Sequence, residues 1–156
     1  MSTYIVPVVA TTNATAGTDD EFIQLTAATG VQFGVRRFRI FYRGGTTAVG
    51  DNNVNAKLVI LSAAGSGGVS ATPVKLSTYS NAATTTASVK SGTTAFTVGT
   101  ISTTFTEPAF NERGFYEWVA ADESEYYWSG AAGIVALIIN NSAASRQMDA
   151  EVEFVE

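Results

Sequence analysis

The side chains in this chain that are best suited to chemistry are carboxylates. Glu107, Glu112 and Glu117 lie in and just after a connection that contains Pro108. Glycoside hydrolysis needs only two well-placed carboxylic acids, one as proton donor and one as base or nucleophile. A chain of 156 residues, however, leaves little polypeptide to build a substrate cleft beyond its core. We therefore predict no catalytic residue and no enzymatic activity, and a small β-sandwich glycosidase is the weakest alternative.

Two acidic runs could supply oxygen ligands to Ca²⁺, which prefers carboxylate and carbonyl oxygens from loops. They are Asp19-Asp20-Glu21 and Asp122-Glu123-Ser124-Glu125. Neither has the alternating ligand spacing of a dedicated calcium loop. Both acidic runs are typical of solvated turns, so we predict no metal site and no cofactor.

The chain contains no cysteine and no histidine. Disulfides, thiolate nucleophiles and thiolate metal sites are therefore excluded. The missing histidine also removes the commonest general base, the Ser-His nucleophile pair and most zinc sites. The glycine-rich stretch Gly65-Ser66-Gly67-Gly68 lacks the Lys-Ser/Thr that follows in a phosphate-binding loop.

A group of aromatic residues lies in the second half of the chain. Its members are Tyr116, Trp118, Tyr126, Tyr127 and Trp128. Such rings can stack on sugars, but Tyr and Trp are also common in cores and are enriched at subunit interfaces. We favour a core or interface role, and a receptor- or carbohydrate-binding β-module stays open as the alternative function.

One predicted strand carries much of the positive charge. Side chains of a strand alternate between two faces, so Val35–Arg43 separates into an apolar and a basic side. The apolar side holds Phe38, Ile40 and Tyr42. The basic side holds Arg37, Arg39 and Arg43, together with Phe41.

The last predicted strand, Gln147–Val155, has the complementary pattern. Asp149, Glu151 and Glu153 alternate with apolar residues. Opposite charges directly across two strands contribute about 0.2–1 kcal/mol per pair. We therefore predict that Val35–Arg43 and this strand lie in one sheet with their charged ladders close together.

The elements that must position these residues are short strands separated by Gly-, Ser- and Asn-rich turns. Asp20–Thr26 places Glu21, Ile23 and Leu25 on one face, and Gly34 suggests a bulge or bend within Val31–Arg43. Ile134–Asn140 has no polar face and is expected in mid-sheet. Further strands are predicted at Val54–Ser62 and Phe115–Ala120, and Glu107–Gly114 is predicted to be a connection.

Eight to ten short strands without a convincing helix indicate an all-β protein, a single β-sandwich of antiparallel strands with a jelly-roll-like order. Pro7 cannot donate to a ladder, so residues 1–10 are predicted to be an extended N-terminal arm or an edge strand. Residues 11–156 are predicted to form the single sandwich domain.

Charge and hydropathy limit the partners. The net charge is −5, whereas nucleic-acid binding needs clustered Lys and Arg, so no nucleic acid is expected. The apolar run Ala131–Ile139 is too short to span a bilayer, so no membrane association is expected. Only 15% of residues are charged, which suggests that other copies or a partner cover part of the surface.

A small, acidic, Thr/Ala/Gly-rich β-chain of this kind resembles the jelly-roll cement (decoration) proteins of tailed bacteriophage heads. The resemblance is one of overall pattern. It is carried by Ser2–Ala10, Arg37–Tyr42, Gly114–Val119 with Glu125–Trp128, and the closing pair Gly133–Asn140 and Met148–Phe154.

The resemblance implies a virion structural protein on the outer surface of the head, made in the host cytoplasm. Its partner would be the major capsid protein, and it would often be a homotrimer that bridges neighbouring capsid subunits after the shell expands. An extended N-terminal segment would be a natural contact. Together with the aromatic group, this gives the predicted interface residues Tyr4, Ile5, Val6, Pro7, Val8, Tyr126, Tyr127 and Trp128.

Overall fold

The computed structural model describes residues 1–12, 16–44, 50–77, 81–143 and 146–156. These residues form two antiparallel sheets that pack face to face, so the prediction of an all-β sandwich is confirmed. The described strands number thirteen rather than eight to ten, because several have only two or three residues. One 3-10 turn, Glu123–Glu125, lies within the acidic run Asp122-Glu123-Ser124-Glu125.

Sheet A has the strand order β10-β3-β13-β1-β6, and β11 continues beside β3. Its strands are β1 (Thr3–Thr12), β3 (Gly34–Gly44), β6 (Val74–Lys75), β10 (Phe115–Val119), β11 (Tyr127–Trp128) and β13 (Gln147–Val155).

Sheet B has the order β5-β7-β2-β12-β4-β8, and β9 also pairs with β4. Its strands are β2 (Asp20–Thr26), β4 (Asn53–Ala63), β5 (Val69–Ala71), β7 (Thr86–Val89), β8 (Thr100–Thr106), β9 (Ala109–Asn111) and β12 (Ile134–Asn141). The predicted connection Glu107–Gly114 therefore contains a short strand, β9.

Residues 3–12 form a strand of sheet A rather than a free arm. β1 pairs with β13 from Thr3–Val155 to Thr12–Gln147, with one register shift. On its other side it pairs only with the two residues of β6, so most of that edge carries no strand among the described residues. Pro7 is accommodated because β1 is close to the edge of the sheet.

The main core lies between the sheets, and β12 runs through the middle of sheet B. Leu137 and Ile139 point into the main core, whereas Ala136 and Ile138 belong to a second apolar cluster on the outer side. Burial on both faces explains why this strand has no polar side, as the sequence indicated.

Bulges shift the pairing of β2 and of β3. The pairing of β2 with β12 shifts at Phe22, so Phe22 and Ile23 both enter the main core while Glu21 lies opposite Ile138 on the outer face. The prediction that Glu21 shares a face with Ile23 is therefore wrong. In β3 the register shifts against β13 fall at Arg36 and at Arg43 rather than at Gly34, which is the first residue of the strand.

We expect Leu137→Ala to lower the free energy of unfolding by about 2–5 kcal/mol, because it leaves a cavity at the centre of the main core. Leu76→Ala is the matched control, since Leu76 is exposed and its loss should stay within about 0.5 kcal/mol. Urea unfolding followed by tryptophan fluorescence measures both. Equal losses for the two variants would contradict this description of the core.

Candidate interaction surface

The arginine ladder of β3 and the acidic ladder of β13 lie side by side on the outer face of sheet A. Arg37 is directly opposite Glu153, and Arg39 is directly opposite Glu151. The prediction that these two strands share a sheet with their charges close is confirmed.

The ladder is a connected network of ion pairs. Arg39 binds Glu151 through two nitrogens, with Nη2 donating to Oε2 at 2.7 Å and Nε lying 2.6 Å from Oε1. Arg37 Nη2 reaches both Glu151 Oε1 at 2.8 Å and Glu153 Oε2 at 3.1 Å. Arg36 joins the network through Glu153 at 2.9 Å, and Glu117 joins it through Arg37 at 3.7 Å. Arg43 and Asp149 form a further ion pair on the same ladder, at 3.1 Å.

The arginines cover the acids. Asp149, Glu151 and Glu153 are almost fully buried, whereas the guanidinium groups above them are partly exposed. Four arginines face four carboxylates, so this network is neutral and the net charge of −5 resides elsewhere. Because each charge already has a partner, a second protein could cover this face without leaving a buried charge unpaired.

Exposed apolar side chains border the network on both sides. On β10, Phe115 is 70% exposed and Val119 is 51% exposed. On the opposite side lie Val9 of β1 and Val74 of β6, which pairs with Ile5. Exposed apolar patches that adjoin polar residues mark protein-interaction sites, and Phe115 and Val119 flank Glu117 on this face of β10. We call this face, the ion-pair network with its apolar border, the sheet A surface.

The predicted interface residues divide between core and surface. Tyr4, Val6 and Val8 point into the main core, so within this fold their side chains do not reach a partner. Their neighbours Ile5 and Pro7 face outward, with Pro7 exposed and Ile5 partly exposed.

The aromatic part of the prediction divides in the same way. Tyr127 packs against the main core, with its ring centroid 4.4 Å from that of Trp118. Tyr126 and Trp128 instead lie over Gly34 on the outside, where an added Cβ would be 3.1 Å from Tyr126 Cδ2 and 3.3 Å from Trp128 Cδ2. Gly34 therefore allows the two rings to cover the start of β3.

Most of the aromatic group closes one side of the sandwich. Tyr116 and Trp118 flank Phe38 with centroid distances of 5.6 and 5.9 Å, and Tyr127 stacks on Phe105 at 4.9 Å. These rings are partly buried and stack on one another, so they are not arranged as a platform for a sugar. Of the group, Trp128 alone is exposed.

Sequence reasoning missed Phe115, Val119, Val9 and Val74. The alternation of β10 placed Phe115 and Val119 on the face opposite Tyr116, but it did not show which face points outward. The signal was their position beside Glu117, which pairs directly with Arg39 on the charged face.

The three candidate catalytic carboxylates are held by different elements. Glu107 lies 3.5 Å from Lys57 beside sheet B, and Glu117 belongs to the sheet A network. Glu112 is buried, where its Oε1 accepts hydrogen bonds from Gly50 N at 2.6 Å and Asn52 Nδ2 at 2.9 Å. The structure does not bring them together as a pair.

Glu112 anchors the loop that precedes β4. Burial raises the pKa of its carboxyl group, but the hydrogen bonds from Asn52 and Gly50 and the charge of Arg146 outweigh this and hold the pKa below its ordinary value. Its Oε2 lies 3.3 Å from Arg146 Nε. The group is therefore an ionised structural anchor rather than a proton donor.

The acidic runs are also dispersed. Asp19 pairs with Lys57 at 2.9 Å, Asp20 pairs with the buried Lys90 at 2.9 Å, and Glu21 lies on the outer face of sheet B. Asp122 caps the 3-10 turn by accepting a hydrogen bond from Ser124 N at 2.8 Å. Within the described ranges, no group of three acidic, His or Cys side chains could hold a metal ion.

No protein-family model, no curated protein and no solved structure matches the chain. In the part of the chain that the structure describes, no helix is long and apolar enough to cross a membrane. Function must therefore be inferred from the residues and their geometry.

We expect Arg39→Glu to lower the free energy of unfolding by about 1–3 kcal/mol, because it leaves a buried carboxylate of Glu151 poorly paired and adds a like charge beside it. Arg113→Glu makes the same charge change at an exposed pair with Asp51 and should cost less than about 1 kcal/mol. Urea unfolding at low salt compares the two variants. An Arg39→Glu protein as stable as the control would show that the network does not stabilise sheet A.

Proposed function

We propose that this protein is a non-enzymatic virion component that binds the outside of a bacteriophage head. It would stabilise the shell by bridging major capsid subunits, with the sheet A surface as its contact. The proposal rests on the resemblance in sequence pattern, and one structural observation supports it: a neutral, fully paired charge network bordered by exposed apolar side chains.

The chemistry of this surface suits a protein partner. Exposed Phe115 and Val119 would lose water-accessible apolar area on binding, at about 25 cal/mol per Å². The ion pairs beside them need no new partner, because the charges of β3 and β13 already pair with one another. Such a face can be buried against a capsid subunit or against another copy of the chain.

Bridging explains how modest contacts can hold a shell. A homotrimer that engages several capsid subunits would gain from effective concentration, because each further contact is intramolecular once the first has formed. The partner in this proposal is the major capsid protein, and neither nucleic acid nor membrane takes part. The site of action is the outer surface of the virion head.

A receptor- or carbohydrate-binding β-module of a phage fibre or tail remains the alternative. Trp128 and Tyr126 on the outside of sheet A are the rings that could serve it, because Tyr116, Trp118 and Tyr127 pack against the core. A glycan array would favour this alternative if wild-type binding is found and Trp128→Ala abolishes it.

Co-sedimentation with expanded heads of the virus that encodes the chain tests the proposal. We expect the double variant Phe115→Ser/Val119→Ser to bind at least tenfold more weakly than wild type, because interface hot spots cost about 1–2 kcal/mol or more each. Ile101→Ser is the matched control, since Ile101 is exposed on β8 of the other sheet.

Both variants should unfold at the same denaturant concentration as wild type, so that a binding loss reports contact rather than folding. Wild-type protein that does not sediment with heads would contradict the proposed function. Equal binding by the double variant and the control would contradict the assignment of the sheet A surface.

A further inference from the structure

Glu21 is a buried carboxyl group that the proposed function does not use. It lies on the outer face of sheet B, directly opposite Ile138 of β12, and none of its surface is exposed. Its Oε2 accepts a hydrogen bond from Gly99 N at 3.3 Å, and its Oε1 has no hydrogen-bond partner among the described residues. A buried charged carboxylate with so few partners is unfavourable.

Two loops, residues 64–68 and 95–99, close over this carboxyl group. They are joined by a two-way backbone bridge, in which Ser66 N donates to Thr97 O at 3.0 Å and Thr97 N donates to Ser66 O at 2.8 Å. The first loop is also fixed to β2, because Gly65 N donates to Gln24 Oε1 at 2.8 Å. We call the two bridged loops the flap.

The flap fits closely against Glu21. A Cβ added at Gly65 would lie 2.5 Å from Glu21 Oε2 and 2.5 Å from Thr97 O. One added at Gly99 would overlap Ala63 O. These glycines are required because the backbone itself, rather than side chains, covers the carboxyl group.

The flap also covers the second apolar cluster. Four buried side chains form this cluster, and Val98 of the flap packs against them. They are Val59, Leu61, Ala136 and Ile138. An open flap would therefore expose an apolar patch on the outside of sheet B.

Among the residues that the structure describes, the elements packed around Glu21 present no charge that compensates its carboxylate. Residues 64–68 and 95–99 contain no charged side chain, and β12 presents Ile138.

The nearest charged groups on neighbouring strands already have partners. Lys57, beyond Ile138 on β4, pairs with Asp19 and Glu107. Asp20, the neighbour of Glu21 in β2, pairs with Lys90.

We propose that Glu21 is a pH-sensitive latch, whose neutral form keeps the flap closed and whose ionised form releases it and uncovers the second apolar cluster. The device is independent of the sheet A surface and would regulate a different face of the protein.

The direction of the pH effect follows from burial. Loss of water raises the pKa of the Glu21 carboxyl group from 4.5 to about 7, against the opposing hydrogen bond from Gly99 N. A group whose pKa is raised in the closed state stabilises that state fully below its ordinary pKa. This stabilisation decreases as pH rises from 4.5 towards 7. Above pH 7 the group no longer favours the closed state, and the stability of the flap no longer changes with pH.

Amide hydrogen exchange at Ser66 and Thr97 measures the opening directly. Dividing each rate by its intrinsic rate at the same pH gives a protection factor. We expect the wild-type protection factors to fall about 30-fold between pH 5.5 and pH 8.5. The reason is that the equilibrium constant for closing the flap falls about tenfold per pH unit between the open-state and closed-state pKa values. The uncharged variant Glu21→Gln should keep its protection constant within about threefold over the same range.

Glu107→Gln is the matched control, because it removes a carboxylate beside the same sheet but outside the flap, and it should behave like wild type. Wild-type protection that does not change with pH, or the same change in Glu21→Gln, would overturn the latch. Carbon-13 titration of the Glu21 carboxyl group in the wild-type protein is a second test that needs no variant. A midpoint near 7 supports the latch, and one near 4.5 overturns it.

Discussion

Sheet A depends on the pairing of β3 with β13. Three carboxylates of β13 are nearly buried in the middle of the sheet, which is tolerable only because the arginines of β3 lie across them. A slip of one residue would turn both the charged ladders and the apolar rows to the wrong faces. Charge and hydrophobicity therefore specify the same register. That agreement fixes β1 on the other side of β13 and places Tyr4, Val6 and Val8 in the core.

Much of this could be predicted from strand periodicity alone. Alternation that is local to each strand is enough to predict the bounds of β2 and β13 and the central position of β12. It also predicts the charge pairing of β3 with β13. The assignment of side chains to faces was wrong where a bulge adds a residue, as at Phe22. A bulge depends on the partner strand rather than on local sequence. The N-terminal segment was ambiguous for a similar reason, since Pro7 is compatible with an arm and with a strand near the edge.

The candidate surface was harder to predict than the fold. Alternation separates the two faces of β10 but cannot tell which one meets the core, so Phe115 and Val119 could be assigned to the outside only from the paired strands. The same limit applies to Glu21. Its burial arises from two loops whose backbone lies over it, a contact between segments far apart in the chain. The sequence gives only a weak signal that the backbone of a glycine lies close to another residue.

We propose that the sheet A surface is buried in an assembly on a phage head. A cryo-electron microscopy reconstruction of heads of the proposed phage is the sharpest test of this burial. We expect density for this β-sandwich on the outside of the shell, with Phe115, Val119 and the arginine ladder against a capsid subunit or a neighbouring copy. Heads that lack the protein, or that carry it with the sheet A surface open to solvent, would rule out this burial.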